Sequence, residues 1–357
     1  MDRIKNTIKA ITFKNPERIP LELVEIPGIY DDYHSVDRER VDKNFEGLND
    51  FDVVQATYSW SFTDKTTDKE GNLLRKDEWG CIQKVPKDGN YSYVVIEEPL
   101  KNIEKLKNYK FPDPSIADNY FKIISKNIKE KYNDKFIGAF IDPGVTLVAI
   151  NLRGYENLLV DYYKDFKHNV LFLFENIWEY QKEIVKKWKE SGAHAVYLYE
   201  EWADQSNMYV SPEWWRENMK PFYKKVFDYI HDQGLYAGMG LDGKINPILD
   251  DLKEIGLDIL DNRQPVLVGI ENLAKAGKGK ICIKGSCDMQ FTLPVKSPAE
   301  VTKEAEMLVE KLGIERGGGF IAMVFKWERI KLPIENVIAS LRGFNKYRKN
   351  IKKNKKN

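Results

Sequence analysis

Asp242 stands in the stretch YAGMGLDGKI, residues 236–245, where a mostly apolar run leads into Gly240, Leu241, Asp242 and Gly243 before a helical pattern resumes. A carboxylate at the end of a buried strand is costly unless it meets a partner or a ligand. Glycine close by on both sides lets the backbone approach a ligand closely. Residues able to do chemistry recur after other apolar runs: Glu25, then Tyr58 and Trp60, then Asp142, then Glu200, Glu201 and Trp202. Asn262 to Gln264, Lys284 to Asp288, and Lys326 with Trp327 complete the series. Carboxylates gathered at one place can hold a hard or borderline metal ion. They can also work as a general acid through a raised pKa. A third use is to neutralise a cationic substrate beside an aromatic wall, here Tyr58, Trp60, Trp202 and Trp327. The general acid and the cationic pocket rank equally, with the metal below them.

Each candidate also has a plainer reading. Glu200 and Glu201 are adjacent, so on an extended segment they face opposite ways, and Glu200 is expected to be the one that enters the site. Asp142 precedes Pro143 and fits a turn. Asp288 fits a loop cap, Arg153 a partner of helix-end carbonyls or an acid, and Trp214 and Trp215 fit helix packing. For Asp242 the plain alternative is a salt bridge to Lys284 or Lys326. His194 begins a strand and is expected at the opposite end from these residues.

The elements that position these residues follow from pattern. Apolar runs at 18–26, 51–57, 136–141, 194–199, 235–240, 257–262, 280–285 and 319–325 read as strands. From residue 136 on they alternate with helical segments. One helix is expected over 211–234, with Ser211 as N-cap, Pro212 at N1 and Gly234 as C-cap; another starts at Ser297–Pro298. Eight strands with crossover helices predict a parallel (β/α)8 barrel of the TIM type, whose chemistry belongs at the C-terminal strand ends. The stretch 58–110, with alternating residues and Asp/Gly/Asn turns, predicts a β-hairpin insertion after the second strand. A single domain over 1–349 and a basic disordered tail over 350–357 are expected.

Composition narrows the classes. Lys and Arg total 56 against 55 Asp and Glu, a balance that points to neither nucleic acid nor an acidic membrane. Three cysteines, with no CxxC pair, give neither a disulfide framework nor a standard zinc signature. The charged N-terminus does not read as a secretory signal, and no apolar run reaches membrane-spanning length, so a cytoplasmic protein is expected.

Several segments at these positions resemble the uroporphyrinogen decarboxylase superfamily. FIDPGVTL (140–147) is similar to its G-x-P-x-T-L loop, and LRGYENLLVDYYKD (152–165) to its LRG-x-ENLL helix. The block 200–234 resembles the DDWG…SP-x-x-W-R-E segment, and GSCDMQFTLPVKSPAEV (285–301) resembles GGIDTQ-x-TLP. DEWGC (77–81), EEPL and YKFPDP look like the insertion of the methyltransferase-like branches, and PIENV (333–337) like the closing motif.

The resemblance implies one of two chemistries. Decarboxylases of the family meet the acetate arms of uroporphyrinogen with an N-terminal arginine loop. The matching stretch here, VEIPGIYDDY (24–33), carries Glu25, Asp31 and Asp32 and no arginine. Like charges in a low-dielectric pocket disfavour a substrate with eight carboxylates. The other chemistry is corrinoid-dependent methyl transfer. Its thiol branch holds zinc with a His-x-Cys pair and a later Cys. Gly240 and Asp242 stand where that pair would be, and Phe325 or Lys326 near the third ligand, so the zinc-thiolate site of that branch is not expected, and whether another metal binds stays open. The resemblance therefore favours an enzyme moving a methyl group between a small O- or N-methylated compound and a corrinoid (cobalamin), free or on a corrinoid protein. A tetrapyrrole or small-acid decarboxylase is the alternative, and a non-catalytic corrinoid or small-molecule binder the third. Asp242 and Glu200 are the expected catalytic residues. Glu25, Tyr58, Trp60, Asp142, Trp202, Gln264, Asp288 and Lys326 are the expected substrate contacts, and a homodimer is plausible by analogy.

Overall fold

Runs whose residues are apolar on both faces suit a sheet covered on both sides, and they form one here. The computed structural model describes residues 1–26, 50–59, 61–87, 93–164, 166–324 and 332–348. The strands, in chain order, are β1 (Leu21–Ile26), β2 (Val53–Tyr58), β3 (Phe62–Thr67), β4 (Leu73–Asp77), β5 (Ile82–Val85) and β6 (Val94–Glu97). They continue with β7 (Phe136–Ile141), β8 (Ala195–Glu200), β9 (Tyr236–Leu241), β10 (Ile259–Asn262), β11 (Cys282–Gly285) and β12 (Phe320–Met323). β1, β2 and β7 to β12 close into a parallel barrel, with β12 paired to β1. Strands β3 to β6 form a separate antiparallel sheet inserted between β2 and β7. The expected barrel and insertion are both present.

The insertion is held against the helix that follows β7, Val145–Arg153. Arg153 pairs with Asp161 at 2.6 Å, the acid expected, and donates to the carbonyls of Leu100 and Lys101, which lie in the turn after β6 rather than at a helix end. The DEWGC motif is a turn: Asp77 accepts from the amides of Trp79 and Cys81 at 3.0 and 2.9 Å. Ser297 caps its helix in a capping box with Glu300. The helix expected over 211–234 is instead two, Pro212–Asn218 and Lys220–Asp232. Pro221 lacks the amide needed to continue the ladder, so the chain breaks at Met219. His194 lies at the base of the barrel, where its Nδ1 accepts from the Ile137 amide at 3.0 Å.

The barrel interior is filled from the base upward. The Arg3–Ile11 helix closes the base, packing Ile11 against Val53, Phe136, Ala195, Ile259, Cys282 and Ile321. Above them the rings of Phe140 and Tyr197 stack with centroids 4.4 Å apart. Lys284 lies over the Phe140 ring at 4.4 Å and is completely buried. Its ammonium meets Glu22 of β1 at 2.9 Å, Asp261 of β10 at 3.0 Å and the Gln55 carbonyl of β2 at 3.0 Å. This ammonium thus ties four strands together at the barrel centre. A Lys284→Met variant removes the cation that two buried carboxylates share. Loss of one partner of a buried pair costs about 3–5 kcal/mol. A corresponding drop in the urea midpoint is expected, and an unchanged midpoint would show the network to be dispensable.

Candidate active site

Side-chain parity decides which strand-end residues face the mouth. On β8, Tyr197 and Tyr199 point inward, so Glu201 does as well and Glu200 turns outward. The Glu200 carboxylate accepts from the amides of Val145 and Thr146 at 2.9 and 2.8 Å and from the Thr146 hydroxyl. It is wholly buried and docks the N-terminus of the Val145–Arg153 helix onto the barrel. A side chain at Gly144 would press within 2.6 Å of this carboxylate, which explains the glycine in the DPGVT segment. The expectation that Glu200 enters the mouth is therefore corrected: Glu201 does.

The same parity moves other expected contacts out of the mouth. Gln55 points inward to Lys284, so Tyr58, three residues on, points outward. Its hydroxyl shares hydrogen bonds with Ser61 and Tyr180 at 3.1 and 3.0 Å between barrel and helices. Trp202 stacks on Tyr162 and donates its indole N–H to Tyr223 at 2.9 Å, deep in the helix layer. Asp288 caps its own loop, accepting from Gln290 and Phe291 at 2.8 Å and from Val266 at 3.1 Å. Gln264 holds the Asp242 loop rather than the mouth surface, its Oε1 accepting from the Gly243 amide at 2.8 Å. Trp60, Lys326 and Trp327, the side chain of Glu25 and the tail at 350–357 lie outside the described residues.

The mouth is built around Asp242. Tyr199 donates its hydroxyl to Asp242 Oδ2. The phenol ring reaches there by lying across Gly240, its register partner on β9, where any Cβ would come within 2.5 Å of the ring. Gly243 turns the chain at φ +81°, and a side chain there would strike the Ala203 and Asp204 carbonyls. Arg263 lies 5.3 Å from the Tyr199 ring and contacts Asp261 at 3.4 Å. Asp142 is close enough to act electrostatically on both Arg263 and Tyr199. A chain of opposite charges thus climbs from Glu22 and Lys284 through Asp261 and Arg263 to Asp242. The sequence did not single out Tyr199. The signal was present as an alternation, Tyr197–Tyr199–Glu201 beside Gly238–Gly240–Asp242.

Burial pushes the Glu201 carboxyl up to about 7, helped by the negative charges of Asp242 and Glu200. Burial also raises Asp242, although Arg263 and the Tyr199 hydroxyl pull the other way. For Asp261 burial is outweighed by Lys284 and Arg263, which hold its carboxyl below the usual range. Arg263 acts electrostatically on Asp261, Asp242 and Asp142 together, so among the described residues the acids of the mouth outnumber its cations. No group of His, Cys, Asp and Glu among the described residues is arranged to hold a metal ion. Zinc in particular does not fit, because the first two positions of the implied ligand set are Gly240 and Asp242 and Tyr199 fills the space over Gly240.

These features define a TIM-barrel protein with an acidic mouth. The family model for uroporphyrinogen decarboxylase matches residues 79–340, and the chain belongs to that family. Two uroporphyrinogen decarboxylases of Prochlorococcus marinus, strains MIT 9215 and MIT 9515, are 27% and 28% identical over 205 residues. Each match covers 54% of this chain and 56% of the relative, so it spans little more than half of either protein. Among solved structures, a methyltransferase from Methanosarcina mazei superposes with a TM-score of 0.72 at 16% identity. It covers 97% of this chain and 99% of the other, which establishes the shared fold.

The Glu201 carboxyl should titrate near neutrality. Its folded pKa lies above the unfolded value, so the protein loses stability as pH rises from about 4.5 through 7. A Glu201→Gln variant should lose that part of the pH dependence in denaturation curves taken at pH 5 and pH 8. Asp242→Asn should lower the Glu201 pKa, read by carbon-13 NMR of the side-chain carboxyl, because it removes a nearby negative charge. An unmoved Glu201 resonance would show that the two groups do not interact.

Proposed function

We propose that this protein transfers a methyl group between a small O- or N-methylated compound and a corrinoid, either free or on a corrinoid-carrying protein. The observation that carries the reading is the carboxylate pair Asp242 and Glu201 at the barrel mouth, both raised by burial, with Asp242 held by the Tyr199 hydroxyl and acted on by Arg263. The reduced corrinoid supplies the nucleophile for the methyl carbon. The chain's own residues manage the charge on the group left behind. With an ether, the bond from oxygen to methyl breaks and the protonated carboxyl of Glu201 gives its proton to that oxygen. With a methylated ammonium, the bonding pair returns to nitrogen, and the carboxylates balance the positive charge until it does. Tyr199 fixes Asp242 in orientation and keeps one of its oxygens satisfied, while Arg263 limits how far its pKa rises.

The second reading, decarboxylation of a tetrapyrrole or another small acid, is favoured by the family model and by the names of the curated relatives. Among the described residues Arg263 is a cation of the mouth, but Asp261, Asp242 and Asp142 already act on it. The acids of the mouth oppose a polyanionic substrate.

Incubation with cob(I)alamin and a panel of O- and N-methyl donors should give a methylated corrinoid, followed by its absorbance change. Asp242→Asn should slow the reaction about 100-fold or more, the usual weight of a positioned acid–base or charge-balancing group. Carbon dioxide release from uroporphyrinogen, with no methyl transfer from any donor, would replace this reading with the second.

A further inference from the structure

The rim of the mouth on the Glu201 side carries two residues that neither the strand pattern nor the motifs singled out. Tyr155 begins the Tyr155–Lys164 helix, and Tyr209 lies in the loop that follows β8. Their rings meet at 90° with centroids 5.5 Å apart, forming a two-walled corner. Tyr155 keeps 41% of its surface exposed, so the corner is open to solvent. Both phenols are pushed up by burial, by their mutual hydrogen bond in the case of Tyr209, and by the negative charges of Glu201 and Asp204. The backbone brings two carboxylates close to Tyr209: its amide donates to the carbonyl of Trp202, the residue after Glu201, at 3.0 Å, and Asp204 lies in the same loop. The loop bearing Tyr209 is braced rather than loose. Ala203 bridges to Met208, Asp204 accepts from the amides of Ser206 and Asn207 at 2.6 and 2.8 Å, and the Lys244 amide donates to the Asp204 carbonyl at 2.8 Å. The last contact joins this loop to the one holding Asp242.

We infer that the Tyr155–Tyr209 corner, with Glu201 and Asp204, binds the methylated ammonium group of a cationic substrate. The inference rests on the methyl-transfer reading for its catalytic use but not for the binding itself. Three physical terms favour such a ligand. Ring faces attract a diffuse, weakly hydrated cation, and more so as the cation is desolvated. Carboxylates close to the rings supply the counter-charge. The mouth beneath is acidic among the described residues, because Arg263 and Lys284 are already matched by Asp261 and Glu22. An uncharged methyl ether would gain contact area in this corner but none of the electrostatic attraction. A carboxylated substrate would be repelled.

The test pairs choline with 3,3-dimethylbutan-1-ol, which has the same shape and lacks the charge. Titration calorimetry on the full chain should show choline binding at least tenfold tighter, with the preference shrinking as salt is added. The Tyr155→Leu and Tyr209→Leu variants should each weaken choline by about five- to tenfold and leave the alcohol nearly unchanged. Tyr163→Leu, on the same helix and 64% exposed, is the control for general effects on that surface. Equal affinity for choline and the alcohol, or choline binding that survives both leucine variants together, would overturn the inference. The two proposals fail separately. Choline binding with no methylation of cob(I)alamin leaves the subsite and removes methyl transfer. Methyl transfer from ethers alone, without a preference for the cation, does the reverse.

Discussion

A single buried ammonium organises the barrel. Lys284 carries its charge into a dry interior and is tolerated there because Glu22, Asp261 and Gln55 converge on it from three other strands. Taking an ion out of water costs several kcal/mol, and close opposite charge with satisfied hydrogen bonds offsets it. The arrangement fixes what stands above. Asp261 uses one carboxylate oxygen for Lys284 and the other for Arg263, so the guanidinium is set beside the Tyr199 ring. The acidic mouth therefore rests on a neutral, rigid floor.

Above that floor, steric fit and chemistry are the same problem. Tyr199 reaches Asp242 because its partner on the next strand is Gly240. With a side chain at 240 the ring would have to swing away, and Asp242 would lose its donor. Burial raises both carboxyls, and the charge of Asp242 adds to the rise at Glu201, while the phenol and the guanidinium restrain the rise at Asp242. The result is a pair of acids with different environments, which suits a site where one group holds position and the other exchanges a proton.

Membership of the uroporphyrinogen decarboxylase family explains the shared loops in physical terms. Glu200 binds the helix N-terminus presented by the DPGVT segment, Asp77 forms the DEWGC turn, and Asp288 and Glu304 brace the loop after β11. Those motifs build the scaffold. Among the described residues, the mouth between them carries Asp142, Glu201, Asp242 and Arg263. Where the resemblance implies a metal-ligand pair, this chain has Gly240 and Asp242, and Asp242 meets the Tyr199 hydroxyl.

The sequence by itself determined the barrel, the insertion and the position of Asp242 at a strand end. Those follow from local terms: apolar runs of strand length, proline and serine at helix starts, and turn residues between them. It also placed His194 at the base and gave Arg153 an acid as a partner. What it left to the tertiary structure was direction. Glu200 and Glu201 differ by one residue, and only the register of β8, set by Tyr197 packing on Phe140 and by Tyr199 lying over Gly240, decides which carboxylate meets solvent. Tyr58 and Trp202 turned into the helix layer for the same reason of parity. The Tyr155–Tyr209 corner joins residues more than fifty positions apart, which no local pattern reports. A strand's pattern states that its two faces differ, but the partner strands decide what each face meets, because burial and charge compensation are properties of neighbours in space.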